Sequence, residues 1–267
     1  MNQKRVAMIF GAIYLAIGAV YLSRASNELE SAIFLLPPLL AAVLGFYASS
    51  IYKLENIHGK TMAWLGSGLT LFFIGELLFF LYQFVFHKTP FPSVADVFYL
   101  LAYPMLLAGL LIEVKMHKPK LSEFNKQALA IITLIFLSLL GVVCYFGIYN
   151  AYDAKASTLA NIIGMSYGVA DLIILVPVIY VLKLAFQFRG GKLFVSWMLI
   201  FCAMIFMLAG DIFFASYNDQ YSAGTWPYNL IDLFWTASYL LFGYSFYFTA
   251  SSLKELRAKL LRAKVKK

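Results

Sequence analysis

The sequence predicts an all-α polytopic transmembrane protein of eight helices, built as two parallel four-helix repeats. Three observations lead there. Of 267 residues, 62% are hydrophobic and 13% are charged, about half the charged share of a soluble domain. The apolar residues form unbroken runs of about 20, the length a helix needs to cross a hydrocarbon core of ~30 Å, where a membrane barrel would show alternating strands. One stretch also occurs twice. Gly75-Glu76, Pro92-Ser93-Val94-Ala95-Asp96, Tyr99 and Tyr103 are answered by Gly210-Asp211, Trp226-Pro227, Asp232, Trp235 and Tyr239.

Spans are expected at about 6–23, 31–52, 62–86, 94–114, 128–150, 158–184, 193–217 and 229–252. Charge sets their orientation. With the N-terminus inside, 18 of the 21 Lys and Arg residues fall on the inner side, and only Arg24, Lys88 and Lys155 fall outside. The positive-inside rule then makes both termini cytoplasmic in a multi-pass protein of the cell membrane. The net charge of +8 is explained by that asymmetry, without a nucleic-acid partner.

The first span, from Lys4-Arg5 to Ser23-Arg24-Ala25-Ser26, reads as an uncleaved anchor. Its apolar run is longer than the core of a usual signal peptide. Cleavage there would leave seven helices and an outer N-terminus. Pro37-Pro38 predicts a kink in the second span. Gly66, Gly68 and Gly75 in the third, and Ala160, Gly164 and Gly168 in the sixth, predict close helix contacts. Asn161 and Asp171 flank that second stripe. Ser93 predicts an N-cap for the fourth span. Cys144 and Cys202 are expected to be buried, reduced and structural.

The membrane domain spans residues 1–252, in repeat halves of about 1–120 and 121–252. The tail, 253–267, places Leu253, Leu256, Leu260, Leu261 and Val265 on one helical face with basic residues elsewhere. It could lie on an anionic leaflet, bind a membrane or cytoplasmic protein, or end the chain as a solvated basic stop. Beyond the lipid bilayer, a homo-oligomer is an open alternative.

Five acids are singled out within the predicted spans: Glu76, Asp96, Asp171, Asp211 and Asp232. Each is expensive in a bilayer core, by about 2.5–3.5 kcal/mol at the helix centre. Glu76 and Asp171 fall near the middle, the other three in the outer half. The repeats predict two converging pairs, Glu76 with Asp96 and Asp211 with Asp232. Spacings of three and seven put Tyr99 and Tyr103 on the face of Asp96, and Trp235 and Tyr239 on that of Asp232. Asp96 and Asp232 lie in first turns, where an acid also serves as a helix cap. Glu76 and Asp211 lie too deep for capping. The candidate ligand- or cation-binding set is therefore Glu76, Asp96, Asp171, Asp211, Asp232, Tyr103 and Tyr239. A site made only of these acids would prefer hard, oxygen-loving cations, but the sequence does not require a metal. His58, His87 and His117 are read as loop residues, so no intramembrane pair is expected to hold haem, copper or zinc. No cofactor is expected, and no nucleophile–base pair argues for an enzyme.

The run Pro92-Ser93-Val94-Ala95-Asp96-Val97-Phe98-Tyr99-Leu100-Leu101-Ala102-Tyr103-Pro104 resembles the PSxAD segment of polytopic membrane modules that precede diguanylate cyclase, phosphodiesterase or histidine kinase domains in bacteria and archaea. The second copy resembles it more loosely, one residue longer between Pro227 and Asp232 and with Leu240 where Pro104 stands. The resemblance implies a sensory or ligand-responsive module. With about 15 residues after the last span, output is expected to need a separate partner. The sequence thus reads as a non-enzymatic sensor-type module with an acidic site in the outer half between the repeats. A small cation- or proton-coupled transporter or channel, and an accessory subunit of a larger membrane complex, are the alternatives.

Overall fold

The computed structural model describes residues 3–265, and all secondary structure among them is helical. The helices are α1 (Gln3–Leu22), α2 (Asn27–Phe34), α3 (Leu36–Tyr52), α4 (Ile57–Phe80), α5 (Val94–His117), α6 (Lys126–Val142), α7 (Thr158–Gln187), α8 (Lys192–Ser216), α9 (Asn218–Ser222) and α10 (Asp232–Val265). π-Helical turns extend α4 over Leu81–Val85 and α6 over Val143–Tyr149. Counting α2–α3 and these extensions as single units, seven helices among the described residues are long and apolar enough to cross a membrane. This is the architecture of a multi-pass membrane protein.

The eighth predicted segment, α10, is helical but less apolar than those seven. Its packing gives the reason. Thr236, Ser238, Ser245 and Thr249 are buried within the bundle. Ser245 donates to the Ser196 carbonyl at 2.9 Å, and Thr249 to the Ser196 hydroxyl at 2.7 Å. Ser245 and Thr249 thus find partners on α8, while the Thr236 and Ser238 hydroxyls are buried without one; a helix wrapped by protein does not need a fully apolar surface.

Local chemistry sets where helices begin. Ser26, Asn56, Ser93, Asn125 and Ser157 each accept a first-turn backbone N–H, using donors that have no intrahelical partner. The proline pair does more than kink the second span. The helix breaks at Leu35, and Pro37 and Pro38 fall in the first turn of α3, where a missing N–H is tolerated.

Six units close into a ring. α3 packs on α4, α4 on α5, α5 on α7, α7 on α8, α8 on α10, and α10 returns to α3. A Cβ on Gly45 would lie 2.8 Å from Gly66 Cα, so α3 and α4 touch backbone to backbone there. α1 lies outside the ring against α10. α6 has no buried residue, and its π extension carries the contact with α7 and α8. Cys144 on that extension is exposed and Cys202 only partly buried, so neither is the core residue expected from its apolar context.

The tail is not a separate amphipathic helix. α10 runs unbroken through 253–265, with Leu256, Leu260 and Leu261 exposed. Glu255 is pinned to Lys192 at the start of α8, and that ammonium holds its carboxyl below the ordinary value. The side chains of Lys264 and Val265, and residues Lys266 and Lys267, lie outside the described part.

Candidate functional site

The end of the ring that carries loops 86–93, 150–157 and 217–231 opens into a cavity of about 670 Å³. Four of the five predicted acids line it: Glu76 from α4, Asp96 from α5, Asp171 from α7 and Asp211 from α8. Tyr103 and Tyr239 line it too. Asp153 and Asp219 stand among its loop residues, and no Lys, Arg or His is in the lining.

Glu76, Asp211 and Asp96 are held by aromatic donors. Glu76 accepts from Tyr99 at 2.9 Å and from Tyr239 at 3.5 Å. Asp211 accepts from the Trp235 indole N–H at 2.9 Å and from Tyr103 at 3.2 Å. Thus each deep acid takes one donor from the next helix of its own half and one from the other half. Two glycines make the near contacts fit. A Cβ on Gly75 would lie 2.6 Å from Tyr99 Cε1, and one on Gly210 would lie 2.6 Å from Trp235 Nε1. The rings lie flat against backbone beside the acids they serve.

Asp171 on α7 lies beside Asp211 on α8 and Tyr103 on α5. Asp211 thus has Asp171 for a neighbour, whereas Asp232, its expected partner, is bound by Tyr21 and Tyr221, and Glu76 and Asp96 are held by different tyrosines.

The two acids nearest the loops differ in role. Asp96 completes a capping box: it accepts from the Ser93 N–H at 2.6 Å while Ser93 caps Ala95. Its other oxygen accepts from Tyr167 at 2.7 Å. Asp232 is not a comparable cap. A short 3₁₀ turn, Tyr228–Ile231, leads into α10, and both Asp232 oxygens are taken by phenols, Tyr21 at 2.7 Å and Tyr221 at 2.6 Å. Burial and the neighbouring Asp232 hold the Tyr221 phenol above its usual value, so it remains a donor. Asp232 is buried outside the cavity lining. Of the predicted set, it alone does not face the space.

The small-residue stripe of α7 is split. Gly168 packs on Gly147, against whose carbonyl an added Cβ would clash. Gly164 has no such contact and, with Ala160, lines the cavity, whose wall Gly168 also joins, as does Asn161, which exchanges hydrogen bonds with the Asp153 backbone at 2.8 Å.

Sequence reasoning missed two buried acids. Glu30 on α2 accepts from Asn229 at 2.7 Å. Glu113, wholly buried near the end of α5, meets His58 and His117. Those histidines are not loop residues: His58 lies in the first turn of α4, and His117 is the last residue of α5. The signal was the i, i+4 spacing of Glu113 and His117.

Comparison of the chain with protein-family models, curated proteins and solved structures finds no match.

Proposed function

We propose that the protein is a sensor-type membrane module that binds a small organic cation in this cavity. One observation carries the reading: six acids and a wall of aromatic rings line the space, with no basic side chain among them. Carboxylates supply opposite charge, and the faces of Phe72, Tyr99, Tyr167, Phe214 and Trp235 suit an ammonium with an apolar body. The volume falls in the range of small-molecule sites. A bare hard cation would need oxygen ligands and gain little from the rings.

In this reading the cavity faces outward and both termini are cytoplasmic, as the charge asymmetry implies. α10 is then an eighth span, and the chain comprises two parallel repeats. The ring contacts support this: α5 meets α7 as α10 meets α3, each fourth span packing on the second span of the other half. The paired glycines and the exchanged tyrosines have the same relation. α10 also supplies the route for a signal. It carries Trp235 and Tyr239 at the cavity and continues, over about 50 Å, as one helix into the basic tail. A ligand drawing on those rings would shift a rigid rod whose far end a membrane or protein partner can read. The likeness of the PSxAD segment to sensory modules points the same way.

Leu65, Leu106, Leu110 and Ile200 are fully buried in the ring's core, which favours binding over an open pore. The test is thermal stability of the purified protein in detergent with tetraethylammonium, a primary alkylamine and a neutral isostere of each. Stabilisation by a cation but not its isostere, lost in Asp211→Asn, is the expected result. Equal melting in all of them at millimolar concentration overturns the reading.

A further inference from the structure

The other end of the ring holds a second cluster, far along α5 from Asp96. Glu113 is fully enclosed, and two imidazoles converge on it. His58 Nδ1 lies 2.6 Å from Oε1. His117 Nδ1 lies 3.2 Å from Oε2, near enough for charge contact but not aligned as a hydrogen bond, so Oε2 has no partner. No Lys or Arg salt bridge reaches Glu113 among the described residues.

The rings are walled in. They stack with centroids 5.7 Å apart, Tyr52 stands edge-on to His58 at 5.5 Å, and Phe188 edge-on to His117 at 5.2 Å. Both keep some solvent access, with side chains 21% and 23% exposed. One ligand atom from each of the three residues fits within a span of 4.8 Å.

We propose that His58, Glu113 and His117 form a binding site for a first-row divalent metal ion of the zinc class. Two imidazole nitrogens and a carboxylate suit zinc, cobalt or iron(II), and discriminate against calcium and magnesium, which take oxygen ligands. A tetrahedral ion with bonds of about 2.0–2.2 Å holds its donors roughly 3.3 Å apart. With Oε2 as the carboxylate ligand, the His117 contact of 3.2 Å already has that spacing, and one ligand atom from each residue lies within 4.8 Å of the others. The ion would replace the proton between His58 and Glu113 and also the Nδ1 proton that His117 gives to the Glu113 carbonyl at 3.2 Å, leaving both rings as Nε2–H tautomers. It would also give the orphaned Oε2 a partner. Three protein ligands leave a fourth position facing the solvent-exposed ring edges, the arrangement of a site open to an exchangeable water or further ligand.

The helix geometry adds one favourable element. Glu113 and His117 lie in the last turns of α5, where unpaired carbonyls give the helix end its negative potential.

The experiment uses full-length protein with its purification tag removed and metal stripped by chelation. Co²⁺ is added and followed by visible absorption, and Zn²⁺ by competition for the same signal. A d–d band at one equivalent, displaced by Zn²⁺ and not by Ca²⁺ or Mg²⁺, is expected. His58→Asn and His117→Asn, at partly exposed positions, should keep the fold and weaken Co²⁺ binding at least about tenfold, the scale on which ligand surroundings act. Glu113→Gln should do the same and is read only if it melts cooperatively. Absence of a band at millimolar Co²⁺ would make the cluster an ion pair only. Undiminished binding in both histidine variants would place the metal elsewhere. Either result overturns the proposal.

Discussion

Tyr103 gives its hydroxyl hydrogen to Asp211, a residue 108 positions away, while Tyr239 reaches back to Glu76. The two halves thus cross-brace each other through the same pair of residue types. Tyr103→Phe and Tyr239→Phe should each lower stability in detergent by about 1 kcal/mol, the scale of a hydrogen bond inside a membrane bundle. Removing both donors should leave tetraethylammonium able to bind, because the acids remain. Thermal denaturation with and without the cation measures both effects.

Gly75 and Gly210 should tolerate no added carbon. Gly75→Ala and Gly210→Ala each drive a Cβ into a ring at 2.6 Å, and overpacking of that kind costs about 1–3 kcal/mol. Trp235→Phe should recover part of the loss in Gly210→Ala and none in Gly75→Ala. A double-mutant comparison of melting temperatures checks that selectivity.

Asp96 and Asp232 should separate cleanly. Asp232→Asn leaves one acceptor oxygen for two phenols outside the cavity lining and sets an amide N–H₂ against the other, so stability should fall while cation affinity stays within about twofold. Asp96→Asn weakens a cap worth about 1 kcal/mol and also alters the cavity wall, so both quantities should drop. Isothermal titration with the same cation distinguishes the two.

The topology can be read with single cysteines in a background lacking Cys144 and Cys202. In intact cells a membrane-impermeant maleimide should label positions 88 and 155 and spare 118, 190 and 254. Labelling of 254 together with 88 would show that α10 does not cross.

Much of the bundle was legible because apolar run length and charge asymmetry are strong signals. Seven of the predicted spans match observed helices within about five residues at each end, while α10 runs 13 residues past the expected end at 252. The doubled motif likewise placed Glu76, Asp96, Asp211, Tyr103 and Tyr239 at one cavity. Partner choice was not legible. The nearness of Asp171 to Asp211 depends on which helices adjoin in the ring, and spacing within a helix says nothing of that. Glu113 escaped for a different reason: it sits where a span meets a basic loop, and the loop's charges made His117 look solvated. Cys144 shows the converse, since an apolar context does not say whether a side chain faces protein or lipid.

The ring closes only where α10 meets α3, a helix made late in the chain against one made early. Until α10 is in place, Glu76 lacks Tyr239 and Asp211 lacks Trp235. An unfinished bundle would therefore hold two acids in the bilayer without half of their donors. The cavity is a quality mark of a finished bundle: a chain cut short before residue 232 retains its apolar spans but presents unmet carboxyl groups to lipid, the kind of exposed polarity that membrane proteolysis can recognise.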